Sequence, residues 1–144
     1  MARLAEGPFY VDSNVFLYAA IGDRVFGPSC AGILRRIARS EMKATTSSLA
    51  LLEFANALRK IGVKLRPGDA VQALRSLPMP IQGLSAEIAE AGSNLAQATG
   101  KGPYDCTHAE VMRAIGLSKI ISADKDFDSL PGITRLDPID FRSA

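Results

Sequence analysis

A chain of 144 residues with 47% hydrophobic and 22% charged residues has the balance of one soluble globular domain, residues 1–144. That balance excludes a disordered, collagen-like or coiled-coil chain, and no uncharged apolar run of ~18 residues reads as a membrane span. The net charge of +2 is too small to mark a nucleic-acid binder by itself. Its distribution is uneven: Arg and Lys are frequent from Asp23 to Arg75, and acids dominate from Lys119 onward. Cys30 and Cys106 lack zinc-finger spacing and read as buried thiols in a reducing compartment. The opening M-A-R-L-A-E-G-P lacks the apolar core of a signal peptide, so a cytoplasmic location is expected.

In chain order, P-F-Y-V-D at 8–12 reads as a short buried strand ending on Asp12. A helix over 14–20 follows, capped by Ser13 or Asn14. Gly27-Pro28-Ser29 opens a second helix to about Arg39, with Ala31, Ile33, Leu34, Ile37 and Ala38 at helical spacing. A brief strand is expected over 43–45. Thr46, Ser47 and Ser48 offer caps for a helix through Ile61, which Gly62 stops. Pro67 starts another helix to about Ser76. A strand over 79–82, a helix over 85–99 and a Pro103 helix to Gly116 come next, then strands over 119–122 and 134–136. Strands alternating with helices predict an α/β fold, with a small parallel sheet of about four or five strands flanked by helices.

In an open parallel sheet ligands bind beyond the carboxyl ends of the strands. Asp12 ends the first strand and Asp124 closely follows the K-I-I-S strand, so both carboxylates belong to one sheet edge. Each also has a local use: Asp12 suits a helix cap and Asp124 a turn. Glu53 shares a helical stripe with Asn56 and Lys60, which fits a solvated face or a carboxylate at the rim of the core. Asp105 falls in the first turn after Pro103, where the helix dipole favours a carboxylate.

Taken together, F-Y-V-D-S-N, L-L-E-F-A-N-A-L, P-Y-D-C-T-H-A and I-I-S-A-D-K-D-F resemble the motifs of PIN-domain ribonucleases. The similarity is greatest to the short VapC-type toxins of prokaryotic toxin–antitoxin pairs, and it spans about Phe9 to Phe141. The resemblance implies that Asp12, Glu53, Asp105 and Asp124 form the catalytic and metal-holding set of an endoribonuclease acting on single-stranded RNA. Asn14 matches a supporting position, and Ser122 stands where the family often has Thr. The resemblance also implies a homodimer, and an antitoxin whose C-terminal segment fills the active-site groove. A PIN nuclease of RNA processing without an antitoxin, or a non-catalytic PIN-like binding module, are the alternatives.

Electrostatics leads to the same cofactor. Two carboxylates ~5 Å apart at an effective dielectric of ~20 repel by roughly 3 kcal/mol, so four together call for a cation. Oxygen-only ligands suit Mg²⁺ or Mn²⁺. An EF-hand over D-K-D-F-D fails, because Ser129 stands where the loop needs Gly and Arg135 where it needs Glu. Asp126 is left as an auxiliary ligand and Asp128 as a cap or surface residue. The single histidine, His108, receives no role. No P-loop, G-x-G-x-x-G or G-x-S-x-G is present, and Asn14 occupies the place where haloacid dehalogenase-type phosphatases need a second Asp. Arg59 and Lys60, together with Arg35, Arg36 and Arg39, are candidates for RNA phosphates. The apolar residues Phe16, Leu17, Ile33, Leu34 and Ile37 are expected to leave a helix face for a two-fold dimer.

Overall fold

Among the described residues, five short parallel strands form the sheet: β1 (Phe9–Val11), β2 (Ala44–Ser47), β3 (Ile81–Gln82), β4 (Lys119–Ile121) and β5 (Thr134–Leu136). They lie in the order β3-β2-β1-β4-β5. The structure is a computed structural model that describes residues 7–141; the N-terminal stretch read above for a leader lies largely outside them. Six helices connect the strands: α1 (Ser13–Ile21), α2 (Gly27–Ala38), α3 (Ser48–Ile61), α4 (Pro67–Arg75), α5 (Ala86–Thr99) and α6 (Pro103–Ala114). Among the described residues no helix is long and apolar enough to cross a membrane.

Alternation along the strands builds two cores. Phe9, Val11 and Ile121 face one side, with residues of α1 to α4 such as Phe16, Ile33, Phe54 and Leu74. Tyr10 and Ile120 face the other, with Cys106, Ala109 and Met112 of α6 and partly buried Ile88 and Leu95 of α5. Cys30 belongs to the first core and Cys106 to the second, so the sheet separates the two free, buried thiols.

The chain order explains where a site forms. From β1 the chain moves outward to β2 and β3, then returns to pair β4 with the opposite edge of β1. The direction reverses between β1 and β4, and such a switch point opens a crevice at the carboxyl ends of the strands. Val11 pairs with Ile121, so Asp12 and Ser122 are the next residues out of two adjacent strands.

Several boundaries differ from the sequence reading. Met79 and Pro80 precede β3, which is a two-residue edge strand. Thr46 and Ser47 belong to β2, and Ser47 is the cap of α3, its Oγ accepting from Ala50 N at 3.2 Å. Two 3₁₀ turns, Lys125–Ser129 and Pro138–Phe141, had no periodic signal. The dimer expectation loses most of its stated basis, because Phe16, Ile33 and Ile37 are buried within the domain and Leu17 and Leu34 pack against its core. Four helices share that face of the sheet and cover it.

Candidate metal centre at the sheet edge

Asp12 is a helix cap and a site residue at once. Its Oδ1 accepts from Ser13 N at 2.8 Å as the N-cap of α1. Its Oδ2 accepts from Ser122 Oγ at 2.6 Å and from Asn14 Nδ2 at 3.2 Å. Asn14 Nδ2 also reaches Ser122 Oγ at 3.1 Å, and Asp124 N donates to that oxygen at 3.0 Å. Ala123 N in turn donates to Asn14 Oδ1 at 3.3 Å. Asn14 and Ser122 thus tie the ends of β1 and β4 together around one carboxylate, 5% exposed.

Asp124 leaves the same edge and caps the turn over 125–129, its Oδ1 accepting from Asp126 N at 2.9 Å. Asp105 enters from the first turn of α6. Acceptor atoms of Asp105, Asp124 and Asp126 lie within 4.8 Å of one another. A second triad, Asp12, Glu53 and His108, is equally close. The charges of Asp12 and His108 are felt at Asp105, so the two triads form one acidic cluster.

His108, to which the sequence gives no role, lies inside this cluster, fully buried. Its Nε2 hydrogen-bonds Glu53 Oε1 and stands 3.8 Å from Asp12 Oδ1. Its Nδ1 meets Tyr10 Oη at 2.6 Å. Position alone could have raised the question, since His108 lies one helical turn after Asp105. Nothing local reveals that Tyr10 and Glu53 come from other elements to meet it.

The remaining predicted residues fall outside the cluster. Arg59 and Lys60 are exposed at the far end of α3, and Arg59 Nη2 donates to Asn56 Oδ1 at 3.0 Å. They stand about 9–11 Å along the helix from Glu53 at 1.5 Å per residue. Arg35, Arg36 and Arg39 end α2. Asp128 is exposed and ion-paired with Arg135 Nε at 2.8 Å; Arg135 also donates to the Ser122 carbonyl at 3.0 Å and so steadies β4.

Charge repulsion is visible in the acids themselves. Burial, then the charges of Asp124 and Asp12, push Asp105 up to about 7. Burial raises Asp12 as well, against the opposing influence of His108 and the Ser122 hydrogen bond. At His108 burial disfavours the imidazolium, but the Glu53 hydrogen bond and the charges of Asp12 and Glu53 raise it above its usual value. All three groups hold protons more tightly in the folded state than when unfolded. Stability of the metal-free protein therefore falls as pH rises from about 4 to about 7, the window set by Asp105. Thermal melts in chelator are expected to show Tm declining across that window. Millimolar Mg²⁺ at pH 7.5 should recover much of the loss by mass action.

Comparison with known proteins follows the same lines. The family model described as the PIN domain matches residues 9–133. No curated protein sequence matches the chain. Among solved structures, Mycobacterium tuberculosis VapC20, a Sarcin-Ricin loop cleaving toxin, is similar with TM-score 0.68 and 19% identity, over 84% of this chain and 93% of that one. VapBC2 from Rickettsia felis, bound to a DNA fragment from its promoter, gives 0.67 and 18%, over 91% and 98%. A toxin–antitoxin complex from Klebsiella pneumoniae gives 0.65 and 19%, over 90% and 97%.

Proposed function

The chain belongs to the PIN-domain family, and from that premise we propose that it is a metal-dependent endoribonuclease of single-stranded RNA, the toxin of a toxin–antitoxin pair. One observation carries the reading. Asp12 and Glu53 meet beside His108, Asp105 and Asp124 meet beside Asp126, and burial together with the charges of Asp124 and Asp12 pushes Asp105 up to about 7.

These residues fit a hard divalent cation. Carboxylate oxygens are the donors such ions prefer, and a positive charge would offset both the burial and the repulsion by Asp124 and Asp12 that lift Asp105. Asp12, Asp105, Asp124 and Glu53 are the proposed holders of Mg²⁺ or Mn²⁺, with Asp126 auxiliary. Bound there, such an ion would supply an activated water and neutralise charge on the phosphate. Asn14 and Ser122 serve by fixing the Asp12 carboxylate, so that it needs no reorganisation on binding. Arg59 and Lys60, exposed at the far end of α3, are proposed to meet phosphates away from the scissile one.

The proposed antitoxin, whose C-terminal segment would fill the active-site groove, has a further apolar seat away from the acids. An apolar groove of ≈ 510 Å³, lined by Phe16, Leu34, Leu65, Leu74 and Leu77 with Arg35 at its side, crosses the α1–α4 face. An antitoxin segment presenting apolar side chains and an acid for Arg35 suits it. A homodimer remains part of the proposal; its surface involves exposed residues such as Leu52 and Leu84 rather than the buried Ile33 and Ile37.

His108 has both ring nitrogens engaged and no exposed surface, so it is not available to deprotonate a ribose 2′-hydroxyl. A single-stranded RNA carrying one 2′-deoxy sugar at the mapped scissile position should still be cut in Mn²⁺. Cutting should leave 5′-phosphate and 3′-hydroxyl ends and stop in chelator. Cyclic-phosphate ends with activity in chelator would overturn the reading.

A further inference from the structure

A buried histidine surrounded by Tyr10, Phe127 and the core of α6 could be replaced by an apolar side chain if packing were its only duty. Its hydrogen bonds show a more specific arrangement. Ser47 caps α3 by accepting from Ala50 N, and its hydroxyl meets Tyr10 Oη at 2.6 Å. Tyr10 Oη meets His108 Nδ1, and His108 Nε2 meets Glu53 Oε1. Glu53 lies on the helix that Ser47 caps, so the chain of bonds leaves α3, crosses β1 and α6, and returns to α3.

The direction of the protons follows from counting donors. Ala50 N–H donates to Ser47, Ser47 O–H to Tyr10, and Tyr10 O–H to Nδ1, leaving the ring proton on Nε2 for the Glu53 carboxylate. In the reverse direction Tyr10 would donate to Ser47, and the fully buried Ser47 hydroxyl proton would find no acceptor in this chain of bonds. An unpaired buried hydroxyl costs roughly 1–3 kcal/mol, enough to decide the direction.

We propose that His108 is a positioning residue, its Nε2–H engaging Glu53 Oε1 so that Glu53 presents Oε2 to the cation site, with Tyr10 and Ser47 setting the imidazole's orientation. This rests on the reading of the acidic cluster as a metal centre. A carboxylate held in this way offers one oxygen in a fixed place instead of a rotating pair, and partners of this kind are typically worth 10–100-fold in metal affinity.

The test is calorimetric titration with Mn²⁺ alone, on wild type, His108→Leu, His108→Gln and Tyr10→Phe, with the Tm of each recorded. His108→Leu should remain folded with a lower Tm, because it leaves the buried Tyr10 hydroxyl without its acceptor, and should bind at least about tenfold more weakly. His108→Gln, which restores an N–H donor toward Glu53, should recover to within about threefold of wild type. Tyr10→Phe, which touches no acid of the cluster, should fall between. A folded His108→Leu that binds Mn²⁺ as wild type does would overturn the positioning role alone. Wild type that binds no Mn²⁺ at millimolar concentration would overturn the metal centre beneath it. A second readout needs no variant: the chain has one histidine, so ¹⁵N-labelled histidine gives one set of ring signals. A proton on Nε2 is expected in the Mg²⁺-saturated protein, and an Nε2 without one would overturn the proposal.

Discussion

Asp105→Asn is expected to lower RNA cleavage on the order of 10³-fold, the scale on which losing one group that stabilises developing charge is felt. The same change should raise the Tm of the metal-free protein at pH 8. Both effects come from one carboxylate. Asp105 sits in the first turn of α6, where the helix dipole favours its charge, yet burial and the charges of Asp124 and Asp12 hold its carboxyl up to about 7. Asn keeps the shape and removes the repulsion, so the fold gains while the cation loses a holder. The contrast is Asp128→Asn, which affects an exposed residue paired with Arg135 and should leave cleavage within about twofold, as surface pairs contribute little. Initial rates in Mn²⁺ and melts in chelator check both halves. A Tm that drops in Asp105→Asn would show that this carboxylate is not repelled as the geometry implies.

Gly92→Ala should destabilise the fold by about 1–3 kcal/mol, the range for forcing an atom into a packed contact. On helix propensity alone the change would be favourable by about 1 kcal/mol, so the sign of the result decides which effect wins. Gly92 lies within α5 where it crosses α6, and a Cβ there would stand 2.1 Å from Thr107 Oγ1 and 2.7 Å from Thr107 Cα. The second atom is backbone, so no rotamer change relieves the clash and the helices must part. Thr107 precedes His108 and follows Asp105 by two residues, so the displacement reaches the site. Urea unfolding should show a lower midpoint and metal titration a weaker affinity; a midpoint at or above wild type would contradict the α5–α6 packing.

The elements most readable in the sequence are those with a local chemical signature. Gly62 and Gly100 end α3 and α5 with φ of 74°, a conformation that glycine adopts without strain. Pro67 and Pro103 open α4 and α6, where a missing N–H costs nothing. Asp12 and Asp124 could be placed on one edge because a parallel sheet sends its strand ends the same way.

What the sequence withheld depends on partners far along the chain. His108 finds Tyr10 and Glu53 at separations of 98 and 55 residues, and no spacing rule connects them. The turn over 125–129 follows from Asp124 capping its own loop, a bond that D-K-D-F-D permits without announcing. The apolar residues expected to leave a dimer face are mostly buried by α1 to α4 packing on one another, a contact that no helix pattern in the sequence displays. Lys60 shares a stripe with Glu53 in sequence, but helix length carries it, and Arg59 beside it, away from the acids.

The central claim is that Asp12, Glu53, Asp105 and Asp124 act together as one cation site. Isothermal titration of the wild-type protein with Mg²⁺ and Mn²⁺ at pH 7.5, beside Asp12→Asn and Asp124→Asn, tests it most directly. The account predicts saturable binding by wild type, accompanied by proton release from the partly protonated cluster, and markedly weaker binding by both variants with the fold intact. Absence of binding by folded wild type at millimolar metal, or binding that both variants retain unchanged, would contradict it.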